Sequence, residues 1–282
     1  MSERWESFSV GPVRIEPGKL ALIAGPCALE DVAMGEEIAL EVKRIAAKLG
    51  LSFVFKASYA KANRSSGESY RGPGASEGLR GLARIRERAG VPITSDVHET
   101  SEIPEAAEVL DLLQIPAFLC RQTALIEAAA RSGKPVHLKK GQFLDPGSMG
   151  RAVQKARAAG ARHLILTERG TTFGYGDLVV DFRGIPIMQS FGCPVFFDAT
   201  HSVQRPGGAE TGGEREFIPA LGRAAVAVGA DGIFLETHPN PERARSDRES
   251  QWPLRDLEEL LKSWIKVSQA LADEKLVGVR PS

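Results

Sequence analysis

Parallel β-strands covered on both faces read as near-continuous apolar runs, and eight short runs of this kind punctuate the sequence. Each leads into a polar or chemically active residue. Leu20–Ala24 leads to Gly25-Pro26-Cys27, Ser52–Phe55 to Lys56, Val91–Thr94 to Ser95-Asp96, and Leu112–Leu113 to Gln114. Pro135–Leu138 leads to Lys139-Lys140, His163–Leu166 to Thr167-Glu168-Arg169, Pro194–Phe197 to Asp198 and then His201, and Gly232–Leu235 to Glu236 and His238. Helical patterns fill most of the intervals. The alternation predicts an α/β chain folded as a (β/α)8 TIM barrel. In that architecture catalytic groups gather at the C-terminal ends of the strands. The run ends therefore predict one site lined by Cys, Lys, Asp, Gln, Arg, His and Glu.

A chain of 282 residues suits one such domain, which needs about 250, so a single barrel over residues 1–282 is expected. Residues 8–15 read as two extended pieces around a Gly11-Pro12 turn. They predict a short N-terminal β-hairpin, within an extension of residues 1–18, that plugs the bottom of the barrel. Helices are expected at about 31–49, 76–89, 101–110, 121–132, 147–159, 213–228 and 254–272. In the helix near 217, Phe217, Leu221, Ala224, Ala225 and Val228 fall on one face. Gly50, Gly90, Gly133, Gly160 and Gly229 follow five helices at the usual place of a left-handed cap.

Lys plus Arg equals Asp plus Glu at 36 each, so net charge offers no case for binding nucleic acid or an anionic membrane. No apolar run approaches the roughly 18 residues of a membrane span. Residues 1–11 lack the apolar core of a signal peptide. Three cysteines, Cys27, Cys120 and Cys193, favour a reducing cytoplasm over a disulfide framework.

Three long loops, 58–74, 202–213 and 237–253, follow strands and so lie on the expected active face. Gly207, Gly208, Gly212 and Gly213 would let the second of these move as a lid. Lys56, Lys61, Arg64, Arg71, Arg121, Lys139, Lys140 and Arg169 all fall at strand ends or in the loops beside them. Arg grips phosphate or carboxylate bidentately and Lys adds a point charge, so this rim suits a multiply anionic substrate. Any one of these cations, taken alone, reads as well as an ordinary surface residue.

Cys27, His201, Glu236, His238 and Asp247 fall on the same rim. A thiolate, an imidazole and carboxylates together suit Zn²⁺, Fe²⁺ or Mn²⁺. Residue type alone leaves a second reading open, with Cys27 a small buried residue at a turn and His201 a hydrogen-bonded loop histidine. His98 is read as structural. No G-x-G-x-x-G fingerprint, Walker lysine loop or G-x-S-x-G elbow occurs, which removes support for dinucleotide, triphosphate and serine-hydrolase chemistry.

The ordered motifs are more specific than any single residue. They include Ala24-Gly25-Pro26-Cys27, Phe55-Lys56-Ala57-Ser58, Lys61-Ala62-Asn63-Arg64-Ser65-Ser66 and Ser69-Tyr70-Arg71-Gly72-Pro73-Gly74. Thr94-Ser95-Asp96-Val97-His98-Glu99, Gln114-Ile115-Pro116-Ala117-Phe118-Leu119 and Lys139-Lys140-Gly141-Gln142-Phe143 follow. Glu168-Arg169-Gly170, Phe173-Gly174-Tyr175, Asp198-Ala199-Thr200-His201-Ser202 and Glu236-Thr237-His238-Pro239 complete the set. Over about residues 10–270 the chain resembles the 3-deoxy-D-manno-octulosonate 8-phosphate synthase family, in its metal-dependent branch.

The resemblance implies condensation of phosphoenolpyruvate with D-arabinose 5-phosphate and water, releasing phosphate, for lipopolysaccharide (Kdo) biosynthesis. It implies that Cys27, His201, Glu236 and Asp247 hold a divalent metal ion. It places Lys61, Lys139 and Arg169 on phosphoenolpyruvate, with Gln114, Ala117 and Phe118 nearby, and Asn63, Arg64 and Ser65 on the sugar phosphate. Arg121 matches an arginine given across a subunit contact, which implies a homotetramer. Lys56 and Asp96 match residues near the reacting groups, and Lys61 and His201 join them in the implied catalytic set. In the metal-independent branch Asn stands in place of Cys27. Arg205 departs from the expected small apolar residue, with an altered lid as the implied consequence.

Three alternatives remain. The sister synthase that uses erythrose 4-phosphate is the nearest, although it typically carries Pro-Arg-Thr-Ser where Asn63-Arg64-Ser65-Ser66 stands here. A Schiff-base aldolase would use Lys56 or Lys139. A sugar-phosphate sensor would bind without turnover.

Overall fold

The computed structural model describes residues 5–61, 72–206 and 212–271. Eight parallel strands run in chain order: β1 (Ala21–Gly25), β2 (Ser52–Lys56), β3 (Ile93–Asp96), β4 (Leu112–Ile115), β5 (Val136–Lys139), β6 (Leu164–Glu168), β7 (Val195–Asp198) and β8 (Gly232–His238). Each pairs with its sequence neighbour, and β1 pairs with β8. The cycle closes, so the sheet is a barrel with no free edge. Every strand is buried along its length save for half-buried Ser52, as a doubly covered parallel sheet requires.

A helix follows each strand: α1 (Val32–Leu49), α2 (Ala75–Ala89), α3 (Ile103–Val109), α4 (Thr123–Arg131), α5 (Met149–Ala158), α6 (Gly184–Gln189), α7 (Ile218–Ala227) and α8 (Leu257–Leu271). Seven of them match expectation to within a few residues. The sequence pattern missed α6, whose six residues span under two turns and cannot show a period. The five expected cap glycines all have positive φ. At Gly50 the cap N–H is donated back to Ala46 and Ala47 carbonyls, while Asp31 accepts from Met34 N at the other end of α1.

The expected face of α7 needs correction. Its buried residues are Ile218, Gly222, Ala225 and Val226, while Phe217 and Val228 are exposed. Gly222 sets the rotation. A Cβ there would lie 2.3 Å from the Trp264 ring, so α7 turns its glycine onto α8 and swings Phe217 outward.

Strand alternation divides the apolar residues into two cores. Leu22, Phe53, Phe55, Leu113, Leu138, Leu166 and Phe197 face outward to the helices. Ile23, Val54, Leu112, Ile165, Phe196 and Phe234 face inward, and they pack with Trp5, Phe8, Val10 and Ile15. The last three belong to the expected hairpin, Phe8–Val10 paired with Val13–Ile15. It closes the N-terminal end of the barrel and leaves the C-terminal end for chemistry.

Candidate active site

The strands run on into their chemical residues. Lys56, Asp96, Gln114, Lys139, Asp198 and Glu236 all lie within strands, and all are buried. Each lies two residues beyond an inward residue of its strand, so period-two alternation aims all six at the barrel mouth. β8 is longer than its apolar run because Thr237 and His238 pair with a short strand, Trp252–Pro253.

One corner gathers Cys27, Glu236 and Asp247, whose ligand-type atoms lie within 4.8 Å of one another. Cys27 is fully buried, and its Sγ donates to Asp247 Oδ2 at 2.8 Å. Burial pushes the Cys27 thiol far up, and the Asp247 and Glu236 carboxylates push it further. Asp247 is the one described non-glycine residue with positive φ, 50°, which turns its carboxylate inward. Gln251 fastens this corner: its Oε1 accepts from Cys27 N at 3.0 Å and its Nε2 donates to Ser246 O at 2.9 Å. Gly25 precedes Cys27 with φ 155° and lies so close to β2 that an added Cβ would meet Lys56 O at 2.0 Å.

His201 stands at the edge of this corner. Its Nδ1 lies 2.8 Å from Asp198 Oδ2, and its Nε2 lies 3.8 Å from Glu236 Oε1. A carboxylate at Nδ1 orients the ring and leaves Nε2 facing Glu236. Asp198 Oδ1 accepts from Thr200 N and His201 N, and Lys139 Nζ lies 2.5 Å from Oδ2. Burial opposes ionisation of Asp198, but His201, Lys139 and these hydrogen bonds outweigh it and hold its pKa well below the carboxylate range. His238 belongs elsewhere: its Nδ1 accepts from Asn240 N and its Nε2 lies 4.0 Å from Glu30.

Lys56 Nζ donates to Cys27 O at 2.9 Å and pairs with Glu236 Oε1 at 2.5 Å. Asp96 accepts from Ser58 Oγ at 2.6 Å and from Gln114 Nε2 at 2.5 Å. Burial works against its charge, yet Lys56 and Lys61 keep it ionised far below the usual value. Burial alone would lower the Lys61 pKa, but the neighbouring Cys27 and the Glu236, Asp247 and Asp96 carboxylates reverse that and raise it. Lys139 Nζ also sits 3.6 Å above the Phe234 ring.

Arg169 is buried at the end of β6, where its Nη2 donates to Gln204 Oε1 at 3.0 Å. Among the described residues its buried Nη1 has no hydrogen-bond partner. Lys140 does not share the mouth. One residue beyond Lys139, it points out of the barrel, where its Nζ donates to Leu144 O, Gly170 O and Thr171 Oγ1 and lies 3.4 Å from Glu168. Ala117 and Phe118 occupy a short turn after β4, with Phe118 54% exposed, and Arg121 is exposed just beyond. Asn63, Arg64, Ser65, Arg71, Gly207 and Gly208 lie outside the described residues. His98 lies 3.9 Å from Glu102 and stacks edge-on to Tyr59, as a structural residue would.

Gln204 was not among the expected site residues. It lies on a two-residue strand paired with Gly212–Gly213, and its Nε2 donates to Asp247 Oδ1 at 3.0 Å. The signal available in sequence was only its place three residues after His201. The neighbouring Arg205 pairs with Glu214 at 2.7 Å across the same ladder.

The DAHP synthetase I family model matches residues 13–273 of this chain. Curated relatives named 2-dehydro-3-deoxyphosphooctonate aldolase are similar along most of their length. One from Desulfotalea psychrophila is 55% identical over 256 residues, 90% of this chain and 91% of the relative. One from Acidithiobacillus ferrooxidans is 54% identical over 243 residues, 86% of each chain. One from Methylococcus capsulatus is 54% identical over 252 residues, 89% of each.

Proposed function

The chain belongs to the DAHP synthetase I family, and from that premise we propose that it condenses phosphoenolpyruvate with D-arabinose 5-phosphate and water. The products are 3-deoxy-D-manno-octulosonate 8-phosphate and inorganic phosphate. It is an enzyme of the transferase type. The observation that carries this reading is the shared name of relatives at 53–55% identity over most of the chain. The seven-carbon product of the erythrose 4-phosphate reaction is not favoured by those relatives.

The roles follow from placement. Arg169 grips the enol phosphate through its Nη1, unpartnered among the described residues, while Lys61 and Lys139 balance its remaining charge, with Gln114, Ala117 and Phe118 around the enol. Asn63, Arg64 and Ser65 take the sugar phosphate, and Arg121 reaches a neighbouring site in a homotetramer. Cys27, His201, Glu236 and Asp247 suit a divalent cation, Zn²⁺, Fe²⁺ or Mn²⁺. Two observations support that fit: Glu236 Oε2 is buried with no partner among the described residues, and the Cys27 thiol is crowded by two carboxylates. Bound there, the ion supplies Lewis-acid polarisation of an aldehyde or water oxygen.

Water attacks the enol carbon that bears the phosphate, while the neighbouring methylene carbon of the enol adds to the sugar aldehyde, whose oxygen takes a proton and becomes a hydroxyl. The bond between the attacked carbon and the phosphate oxygen then breaks, so phosphate leaves with that oxygen and the oxygen from water remains as the new keto oxygen. Asp96, kept ionised, accepts a hydrogen bond from water or a sugar hydroxyl. Lys56 holds the Glu236 carboxylate and the Cys27 carbonyl in one orientation. Asp198 holds His201 by its Nδ1 proton. Among the described residues no helix is long and apolar enough to cross a membrane, and we assign the enzyme to the cytoplasm as one barrel unit. Phosphate release with both substrates tests the reading. Release with erythrose 4-phosphate in preference to arabinose 5-phosphate would overturn it.

A further inference from the structure

Arg169 and Asp247 touch the same amide, that of Gln204. Gln204 Oε1 accepts from Arg169 Nη2 at 3.0 Å, and Gln204 Nε2 donates to Asp247 Oδ1 at 3.0 Å. The other oxygen of Asp247 accepts from Cys27 Sγ at 2.8 Å. A continuous path thus runs from the arginine through Gln204 and Asp247 to the cysteine. The amide is polar in one direction only. Rotated by half a turn, it would set N–H against guanidinium and oxygen against carboxylate, so both neighbours demand the same orientation.

We propose that Gln204 is a positioning residue that couples the two halves of the site, so that an enol phosphate on Arg169 and a divalent cation beside Asp247 strengthen each other's binding. This rests on the assignments made for Arg169 and for the Cys27–Asp247 corner. An anion on the Nη1 of Arg169, which has no partner among the described residues, orders the guanidinium, and through it the Gln204 amide and the Asp247 carboxylate. A cation at Asp247 orders the same three groups from the other end. Each ligand completes part of the ordering that the other requires, and the coupling is reciprocal by linkage.

The test is a coupling measurement on metal-stripped protein. Co²⁺ is titrated with and without saturating phosphoenolpyruvate, read by the thiolate-to-cobalt absorption band. Phosphoenolpyruvate is titrated with and without Co²⁺, read by calorimetry. In the native protein each ligand tightens the other by about ten-fold, within the usual range of coupling between two sites. In Gln204→Met, which keeps the volume and deletes both hydrogen bonds, the factor falls below about two-fold while each ligand still binds alone. Gln204→Leu serves the same purpose should the Met variant unfold, and a thermal melt checks both. An equal factor in native and variant proteins would show that the ligands sense each other by direct charge or not at all, and would overturn the proposal. Absence of the cobalt band, or of any heat from phosphoenolpyruvate, would count against the site assignments themselves and would be seen in the native protein first.

Discussion

Lys56 and Glu236 form an ion pair across the barrel mouth at 2.5 Å, with side chains 2% and 0% exposed. The pair joins the end of β2 to β8, and Lys56 reaches on to the Cys27 carbonyl. Removing the cation takes away the nearest counter-charge of a buried carboxylate, which costs up to about 3–5 kcal/mol. Lys56→Met should therefore lower the urea unfolding free energy by roughly that amount. Adding Zn²⁺ should restore part of the loss, since a metal at Glu236 supplies the missing positive charge. A variant as stable as the native protein would remove Lys56 from this structural role.

Acid should weaken the fold in two stages. Burial, aided by the Lys139 charge, holds His137 down at about 3 against an ordinary 6.5. Its folded value lies below its unfolded one, so it adds stability above pH 6.5 that is lost as the pH falls toward 3. Glu236 is held at about 2 against 4.5, with burial opposed and outweighed by Lys56, His201, Lys61 and Lys139. Its contribution is present above 4.5 and lost toward 2. Asp96 and Asp198 shift the same way. Urea midpoints measured from pH 8 downward, in buffers of constant ionic strength, should decline first by the imidazole and then more steeply by the carboxylates. His137→Leu should erase the first stage only.

The two phosphates should be separable by kinetics. Arg64→Ala should raise KM for arabinose 5-phosphate far more than KM for phosphoenolpyruvate, and Arg169→Ala should do the reverse. Loss of a charge-assisted hydrogen bond costs about 1.5–3 kcal/mol, or roughly 10- to 150-fold. Equal changes on both substrates in either variant would contradict the assignment.

Chelation should silence the enzyme, and added Zn²⁺, Fe²⁺ or Mn²⁺ should revive it. A thiolate binds these ions strongly after losing its proton, whereas a neutral amide is a poor ligand. Cys27→Asn should bind metal weakly and retain a low activity that chelators do not affect. Full turnover by the stripped native enzyme would exclude metal dependence.

The barrel was legible because its signal is repeated: every strand is an apolar run, and every run ends at the same rim. The mouth residues were legible for the same reason, since Lys56, Gln114, Lys139, Asp198 and Glu236 are the first polar positions after such runs and Asp96 is the second after its own. Less accessible was anything decided by facing. Lys139 and Lys140 are adjacent in sequence, yet alternation sends one into the site and the other behind it. Phe217 looked like a core residue until Gly222 set the roll of α7. Gln204 and Gln251 are invisible to pattern because the partners that matter, Arg169 and Asp247 for the first and Cys27 for the second, are far away in sequence. Only the folded geometry brings such pairs together.

The hairpin at the base of the barrel bears on the one reactant that carries no charge. With Trp5, Phe8, Val10 and Ile15 packed against Phe196 and Phe234, the floor of the barrel is apolar and filled. Water cannot rise through it to the enol. The molecule that supplies the new keto oxygen must enter by the same mouth as the two phosphorylated partners. Stoichiometry in this barrel is thus a matter of traffic: three arrivals share one doorway.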